Sequence, residues 1–152
     1  HLSVDRMTLT QSLTASTTIN IPLNGLKGIC SFLVFTIRLA STYLTSAPIT
    51  YLACDSFDIL DSSSSSLIGH LARNRNIQKI HWAHCFGNDV MNQTGVNFVS
   101  FAVDPRDAFG KGSNSGFVVF TGNESLRINL SSAITTASHI IDIRAYMPLG
   151  IK

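Results

Sequence analysis

The chain has 152 residues, with 11 Lys and Arg against 9 Asp and Glu, which gives a formal net charge of +2. Charged residues make up only 13% of the chain, about half the usual share, while hydrophobic residues make up 45%. This apolar content excludes a disordered chain, and the near balance of charge disfavours a strongly electrostatic nucleic-acid binder. The length fits one domain with a core of its own.

The surface of such a chain must be largely neutral. Ser and Thr together supply 32 residues, and the mean hydropathy is +0.24. A monomer with so few charges exposes apolar area to water, which favours association with a partner. The composition therefore points to a β-rich domain that assembles.

The cysteines and the sequons carry little functional information. Cys30, Cys54 and Cys85 are odd in number and lack a CxxC spacing, so they form neither a disulfide framework nor a zinc site. Cys30 and Cys54 lie in apolar runs and are predicted to be small core residues. Three sequons are little more than this Asn-, Ser- and Thr-rich composition gives by chance, and they begin at Asn92, Asn123 and Asn129.

Alternation of apolar and polar residues dominates the first half of the chain. Residues 7–13 and 19–23 alternate and predict half-buried strands, with Asn24-Gly25 as a turn. Residues 29–39 are apolar on both faces, as expected of a central strand under a second layer, and are too short for a membrane helix. Shorter predicted strands follow at residues 49–54 and 57–60.

The second half continues the same pattern. Residues 61–66 form a serine-rich loop, and residues 67–84 are ambiguous, with a short turn or helix followed by a predicted strand over about 77–86. The remaining predicted strands cover residues 96–103, 117–120, 126–130 and 139–146. No long helix and no internal repeat is present. The sequence therefore predicts an all-β fold, an antiparallel eight-stranded jelly-roll β-sandwich, as a single domain over residues 1–152.

No motif for catalysis or cofactor binding is recognisable. His81 and His84 would point to opposite faces of a strand and could not share a metal ion without a bulge. The glycine-rich segment 110–116 lacks the Lys-Ser/Thr order of a phosphate loop and the central serine of a nucleophile elbow. We therefore predict no enzymatic activity, no cofactor and no metal.

Two charged clusters are candidates for contacts. Asp104 and Asp107 enclose Pro105-Arg106, which is typical of an internal turn salt bridge or of a subunit contact. A small basic cluster could face packaged nucleic acid or an acidic patch on a neighbour, and it consists of Arg73, Arg75 and Lys79.

From about residue 80 onward, the chain has a Ser-Phe-Ala strand that ends in Asp104-Pro105, a polar loop to Gly116 and three further predicted strands. The order of these features resembles the C-terminal jelly roll of the double-jelly-roll major capsid proteins of large tailless icosahedral DNA viruses. Val99-Ser-Phe-Ala-Val-Asp-Pro105 is similar to the family's Ser-Phe-Ala strand and the Pro after it. A polar loop then leads through Ser115-Gly116 into Phe117-Val-Val-Phe120. Residues 126–130 and 140–146 follow in the family's order, and residues 19–38 are similar more loosely.

The resemblance implies a structural capsid protein in the virion that assembles through trimers into an icosahedral shell with copies of itself and other capsid proteins. Family members carry two jelly rolls, so this chain would be the C-terminal half of a longer polypeptide or a single-jelly-roll relative. The resemblance also implies lateral contacts from the loop at residues 104–116. The predicted interface residues in this loop are Asp104, Arg106, Asp107, Lys111 and Asn114.

Two other classes of protein stay open. A trimeric receptor-binding jelly roll, either a viral fibre head or a cytokine-like ligand, would also bury apolar flanks in a threefold interface. A carbohydrate-binding module or sandwich enzyme would need exposed aromatic side chains along a groove, and the one tryptophan, Trp82, lies in an apolar predicted strand.

Overall fold

The computed structural model describes residues 4–13, 16–39, 51–68, 95–102, 116–130 and 139–148. Within these ranges the chain forms β-strands and no helix, which confirms the all-β prediction for this part of the protein. The strands are β1 (Val4–Leu13), β2 (Thr18–Pro22), β3 (Gly28–Cys30), β4 (Phe32–Leu39), β5 (Ser56–Leu60), β6 (Val96–Ser100), β7 (Val118–Phe120), β8 (Ser125–Asn129) and β9 (His139–Pro148).

The strands form three antiparallel sheets. The four-stranded sheet has the order β1-β9-β4-β6, the three-stranded sheet has the order β2-β8-β5, and β3 pairs with β7 in a short ribbon. The first and last strands are neighbours, with Val4 opposite Pro148 and Leu13 opposite His139. Most pairings thus join segments that are distant in the chain.

The single strand predicted over residues 29–39 is interrupted at Ser31. The Ser31 amide donates a hydrogen bond to the Tyr146 carbonyl at 2.9 Å, and its carbonyl accepts one from the Phe101 amide at 2.8 Å. On one side of Ser31 the chain pairs with β7, and on the other side it pairs with β9 and β6. A break of this kind lets one stretch of chain turn a corner between sheets, and it accounts for the third sheet, which the sequence did not predict.

Two other predicted strands are shorter in the structure. In the segment predicted over residues 49–54, only Tyr51 bridges to Arg38 within the described range. The strand predicted over residues 96–103 ends at Ser100, whose hydroxyl donates to the Ala102 carbonyl at 2.7 Å. Beyond Ser100, the Phe101 and Ala102 amides both donate to the Ser31 carbonyl, at 2.8 and 3.3 Å, so the regular ladder with β4 ends there.

The three sheets contribute to one hydrophobic core. The side chains of Phe35 on β4 and Phe57 on β5 meet edge to face, with ring centroids 4.8 Å apart. Cys30 and Cys54 are buried in this core, as predicted. The members from the two larger sheets are Ile19, Ile21, Leu33, Phe35, Ile37, Phe57, Ile59, Val99, Leu126, Ile128, Ile141, Ile143 and Ala145.

Candidate interaction surfaces

Most of the residues predicted to make functional contacts lie outside the described ranges. This holds for Asp104, Arg106, Asp107, Lys111 and Asn114 in the predicted interface loop. It also holds for the basic cluster and for the two histidines, namely Arg73, Arg75, Lys79, His81 and His84. These assignments therefore stay predictions from the sequence.

Described residues lie close to both ends of the predicted interface loop. Phe101 and Ala102 precede the loop, and Gly116 is its last residue. A Cβ atom on Gly116 would lie 2.7 Å from the Phe101 carbonyl oxygen, so the two backbones are in direct contact. Phe101 and Gly116 therefore lie side by side at the start of β7.

An exposed apolar surface begins at the same place. Phe117 and Val119 are each 53% exposed, whereas Phe120 is buried in the core. Because side chains alternate along a strand, Phe117 and Val119 share one side of this segment, which we call the β7 face. They are the large hydrophobic side chains most exposed to solvent among the described residues.

The outer face of the three-stranded sheet is polar. Asn129 on β8 accepts a hydrogen bond from the Thr18 hydroxyl at 3.3 Å and donates one to the Ser56 hydroxyl at 3.1 Å. Two residues earlier on β8, Arg127 donates a hydrogen bond from its Nε atom to the Asn20 side-chain oxygen at 3.1 Å. Thr18, Asn20 and Arg127 are exposed, so this face suits contact with water.

The outer face of the four-stranded sheet carries an apolar cluster instead. Phe32 stacks on Tyr146 with centroids 4.1 Å apart and contacts Phe98 at 5.9 Å. Phe32, Val34 and Phe98 lie in this cluster, which is separate from the main core and on the opposite side of the sheet. At the start of β4, Phe32 is thus buried on the outer face and Leu33 on the inner face, which explains why the sequence is apolar on both sides there.

A polar pocket lies further along this outer face. It has a volume of about 150 Å³, and Thr36, Arg38, Tyr51, Asp142 and Arg144 provide its polar groups. Asp142 is 7% exposed, and its Oδ2 atom lies 3.4 Å from the Arg144 guanidinium. The sequence showed Asp142 and Arg144 only as polar residues of the last strand, because the pocket depends on β4 and Tyr51 across the sheet.

Glu124 is a buried carboxylate that the sequence analysis did not single out. It accepts hydrogen bonds from the Thr121 amide at 3.0 Å, the Thr121 hydroxyl at 2.9 Å and the Gly122 amide at 3.0 Å. Burial alone would raise the pKa of this carboxyl group, but the hydrogen bonds outweigh burial and lower the pKa below its usual value of 4.5. Glu124 fixes the turn between β7 and β8.

Asn97 on β6 is a second buried polar group, 3% exposed. The Cys54 thiol donates to its Oδ1 atom at 3.1 Å, and its amide donates to the Gly95 carbonyl at 3.2 Å. In the sequence, the role of Asn97 is indicated only by its being a polar residue at an inward-facing position of a strand. Asn97 therefore ties β6 to the segment before β5.

The buried Cys30 thiol is poorly suited to nucleophilic chemistry. Burial raises the pKa of the Cys30 thiol to about 12, so its thiolate is scarce at neutral pH. Within the described ranges, no three His, Cys, Asp or Glu side chains come together as a metal site requires. In the same ranges, no helix is long and apolar enough to cross a membrane.

Two of the three sequons have described asparagines. Asn123 is exposed in the turn between β7 and β8, whereas the Asn129 side chain is hydrogen-bonded within the sheet. A glycan on Asn129 would be attached to the Nδ2 atom, which donates to the Ser56 hydroxyl in the sheet. Asn92 lies outside the described residues.

Comparison with known proteins gave no family assignment. No family model matches the chain. No curated protein matches it either. One solved structure that aligns with it is a chain of the cyanophage Pam1 capsid asymmetric unit, with 14% sequence identity over 97% of this chain and 85% of the other, at a TM-score of 0.29. A TM-score of this size does not establish a common fold.

Proposed function

We propose that the chain is a non-enzymatic structural protein of a viral capsid, in which a jelly-roll domain associates with copies of itself and with other capsid proteins. Its place is the virion, and the resemblance described above adds trimers as the assembly unit. The proposal has two supports. One is the strand order, and the other is the exposed β7 face.

The strand order supports the jelly roll. In an eight-stranded jelly roll, the first, eighth, third and sixth strands form one sheet, and the second, seventh, fourth and fifth form the other. When the short β3–β7 ribbon is set aside, β1-β9-β4-β6 corresponds to the first of these sheets and β2-β8-β5 to three strands of the second. The fifth strand is not among the described residues and would come between β5 and β6 in the chain, where the sequence predicts a strand over residues 77–86.

The exposed β7 face is the observation that supports self-association. Phe117 and Val119 leave apolar area in water beside the base of the predicted interface loop, in a chain with few charges to keep copies apart. Covering this area with a second copy removes it from water, and a shell repeats such a contact many times. Each contact can therefore be weak while the assembly is stable.

Sedimentation velocity of the purified chain tests this proposal with a matched pair of variants. Val119→Lys places a charge on the β7 face, and Thr18→Lys places the same charge on the exposed polar face of the three-stranded sheet. We expect the wild-type chain and Thr18→Lys to form oligomers at the same concentration, and Val119→Lys to need at least about tenfold more protein, since a buried unpaired charge opposes association.

Both variants should unfold at nearly the wild-type temperature, because both positions are exposed. A wild-type chain that stays monomeric up to the highest soluble concentration would contradict the proposal. Equal association of Val119→Lys and Thr18→Lys would remove the β7 face from the interface.

A further inference from the structure

The polar pocket on the outer face of the four-stranded sheet contains a buried acceptor without a donor. Asp142 is 7% exposed, and its Oδ1 atom accepts no hydrogen bond within the described part of the chain. Its other oxygen has only the 3.4 Å contact with Arg144, which is long for a charge-assisted bond. Buried polar atoms are nearly always paired, so an orphan that lines a pocket indicates a missing donor.

The charges around the pocket restrict what can supply that donor. Arg38 and Arg144 line it together with Asp142. The Arg144 guanidinium beside Asp142 disfavours a cation. A simple anion has no hydrogen atom to donate to the uncovered oxygen of Asp142. The occupant that fits is therefore neutral, with a donor for Asp142 and an acceptor for Arg144, whose side chain is 42% exposed.

The volume of the pocket further restricts the class of ligand that it can bind. A cavity of about 150 Å³ accepts one six-membered ring. Adjacent hydroxyl groups on such a ring can donate to a carboxylate and accept from a guanidinium at the same time. Thr36 adds another hydroxyl, and Tyr51 adds an amphipathic side chain to the lining.

We propose that this pocket binds one uncharged sugar unit, with Asp142 accepting hydrogen bonds from its hydroxyl groups and Arg144 donating to its oxygens. The inference does not depend on self-association, because the pocket and the β7 face lie on different elements. The sugar can be free or part of a glycan chain, and the two sources share the same chemistry at the pocket.

Saturation-transfer NMR with the full chain tests the proposal. The probes are uncharged hexoses and N-acetylhexosamines at millimolar concentration, each as the free sugar and as its methyl glycoside. Glucosamine and sialic acid are the cationic and anionic controls. We expect transfer to at least one uncharged sugar and none to the charged controls. Transfer to the glycoside would assign the site to glycans, and transfer to the free sugar alone would assign it to free sugars.

Two variants and one control locate the binding. Asp142→Asn removes the carboxylate, and Arg144→Gln removes a half-exposed guanidinium. Each should weaken sugar affinity by at least tenfold. Asp58→Asn, on the outer face of the other sheet, should leave the affinity unchanged. Absence of transfer to every uncharged sugar, or equal affinity in Arg144→Gln and the wild-type chain, would overturn the proposal.

Discussion

Glu124 shows how much of this fold rests on one side chain. It is the only glutamate in the sequence, and it satisfies the amide groups of Thr121 and Gly122 where the chain turns from β7 into β8. Its own carbonyl accepts a hydrogen bond from the Leu23 amide at 2.9 Å, which links the turn to the end of β2. Losing the carboxylate would leave buried donors without partners.

We therefore expect Glu124→Gln to reduce the free energy of unfolding at pH 7 by about 1–3 kcal/mol. The pKa of Glu124 is lower in the folded than in the unfolded state, so its contribution is complete above the unfolded value of about 4.5 and disappears as the pH falls through the folded value. Urea unfolding should thus show a large difference between variant and wild type at pH 7, and a smaller one well below pH 4.5.

Asp61→Asn is the control for this measurement. Asp61 also accepts two amide hydrogen bonds, from Ser63 at 2.8 Å and Ser65 at 2.9 Å, but in an exposed loop where water can replace them. Its substitution should have little effect. A loss of stability in Glu124→Gln that is the same at both pH values would contradict the role assigned to the carboxylate.

At the scale of elements, the contact between β6 and the segment before β5 depends on Gly95. This residue has a φ angle of +91°, and a Cβ atom on it would lie 2.5 Å from the Cβ atom of Tyr51. Gly28, at the start of β3, has a φ angle of +116° but nothing within 4 Å of its Cβ position. An alanine at Gly28 would therefore introduce backbone strain alone, whereas an alanine at Gly95 would introduce backbone strain together with a steric clash.

We expect Gly28→Ala to cost about 1–3 kcal/mol of unfolding free energy, because alanine is strained at that φ angle. Gly95→Ala should cost about 1–3 kcal/mol more than Gly28→Ala, since Tyr51 or β6 must also move. Chemical denaturation of the two variants measures the difference. Equal losses of unfolding free energy in the two variants would contradict this expectation, because they would show that Tyr51 moves without an energetic penalty.

Local patterns predicted the strands that have one buried face. In β2, Ile19 and Ile21 are buried while Thr18 and Asn20 are exposed, as their alternation indicates. The same rule cannot locate the break at Ser31, because an apolar run buried on both faces has no preferred side. That break is set by bonds to Tyr146 and Phe101, which are far away in the chain.

Over the whole molecule, the outer surfaces of the described sheets differ in character. The three-stranded sheet presents hydrogen-bonded polar side chains to water, the four-stranded sheet carries a buried aromatic cluster and a polar pocket, and the β7 face is apolar and exposed. The sequence predicted that part of the surface would need a partner, from its low charge. It could not show which part, because exposure depends on how the strands pack.

Negative-stain electron microscopy of native material that contains this chain tests the central claim most directly. A capsid protein should be found in uniform icosahedral particles, and mass spectrometry of those particles should recover this sequence. Only dispersed monomers or small trimers would contradict a shell and would leave a receptor-binding or sugar-binding domain as the better account.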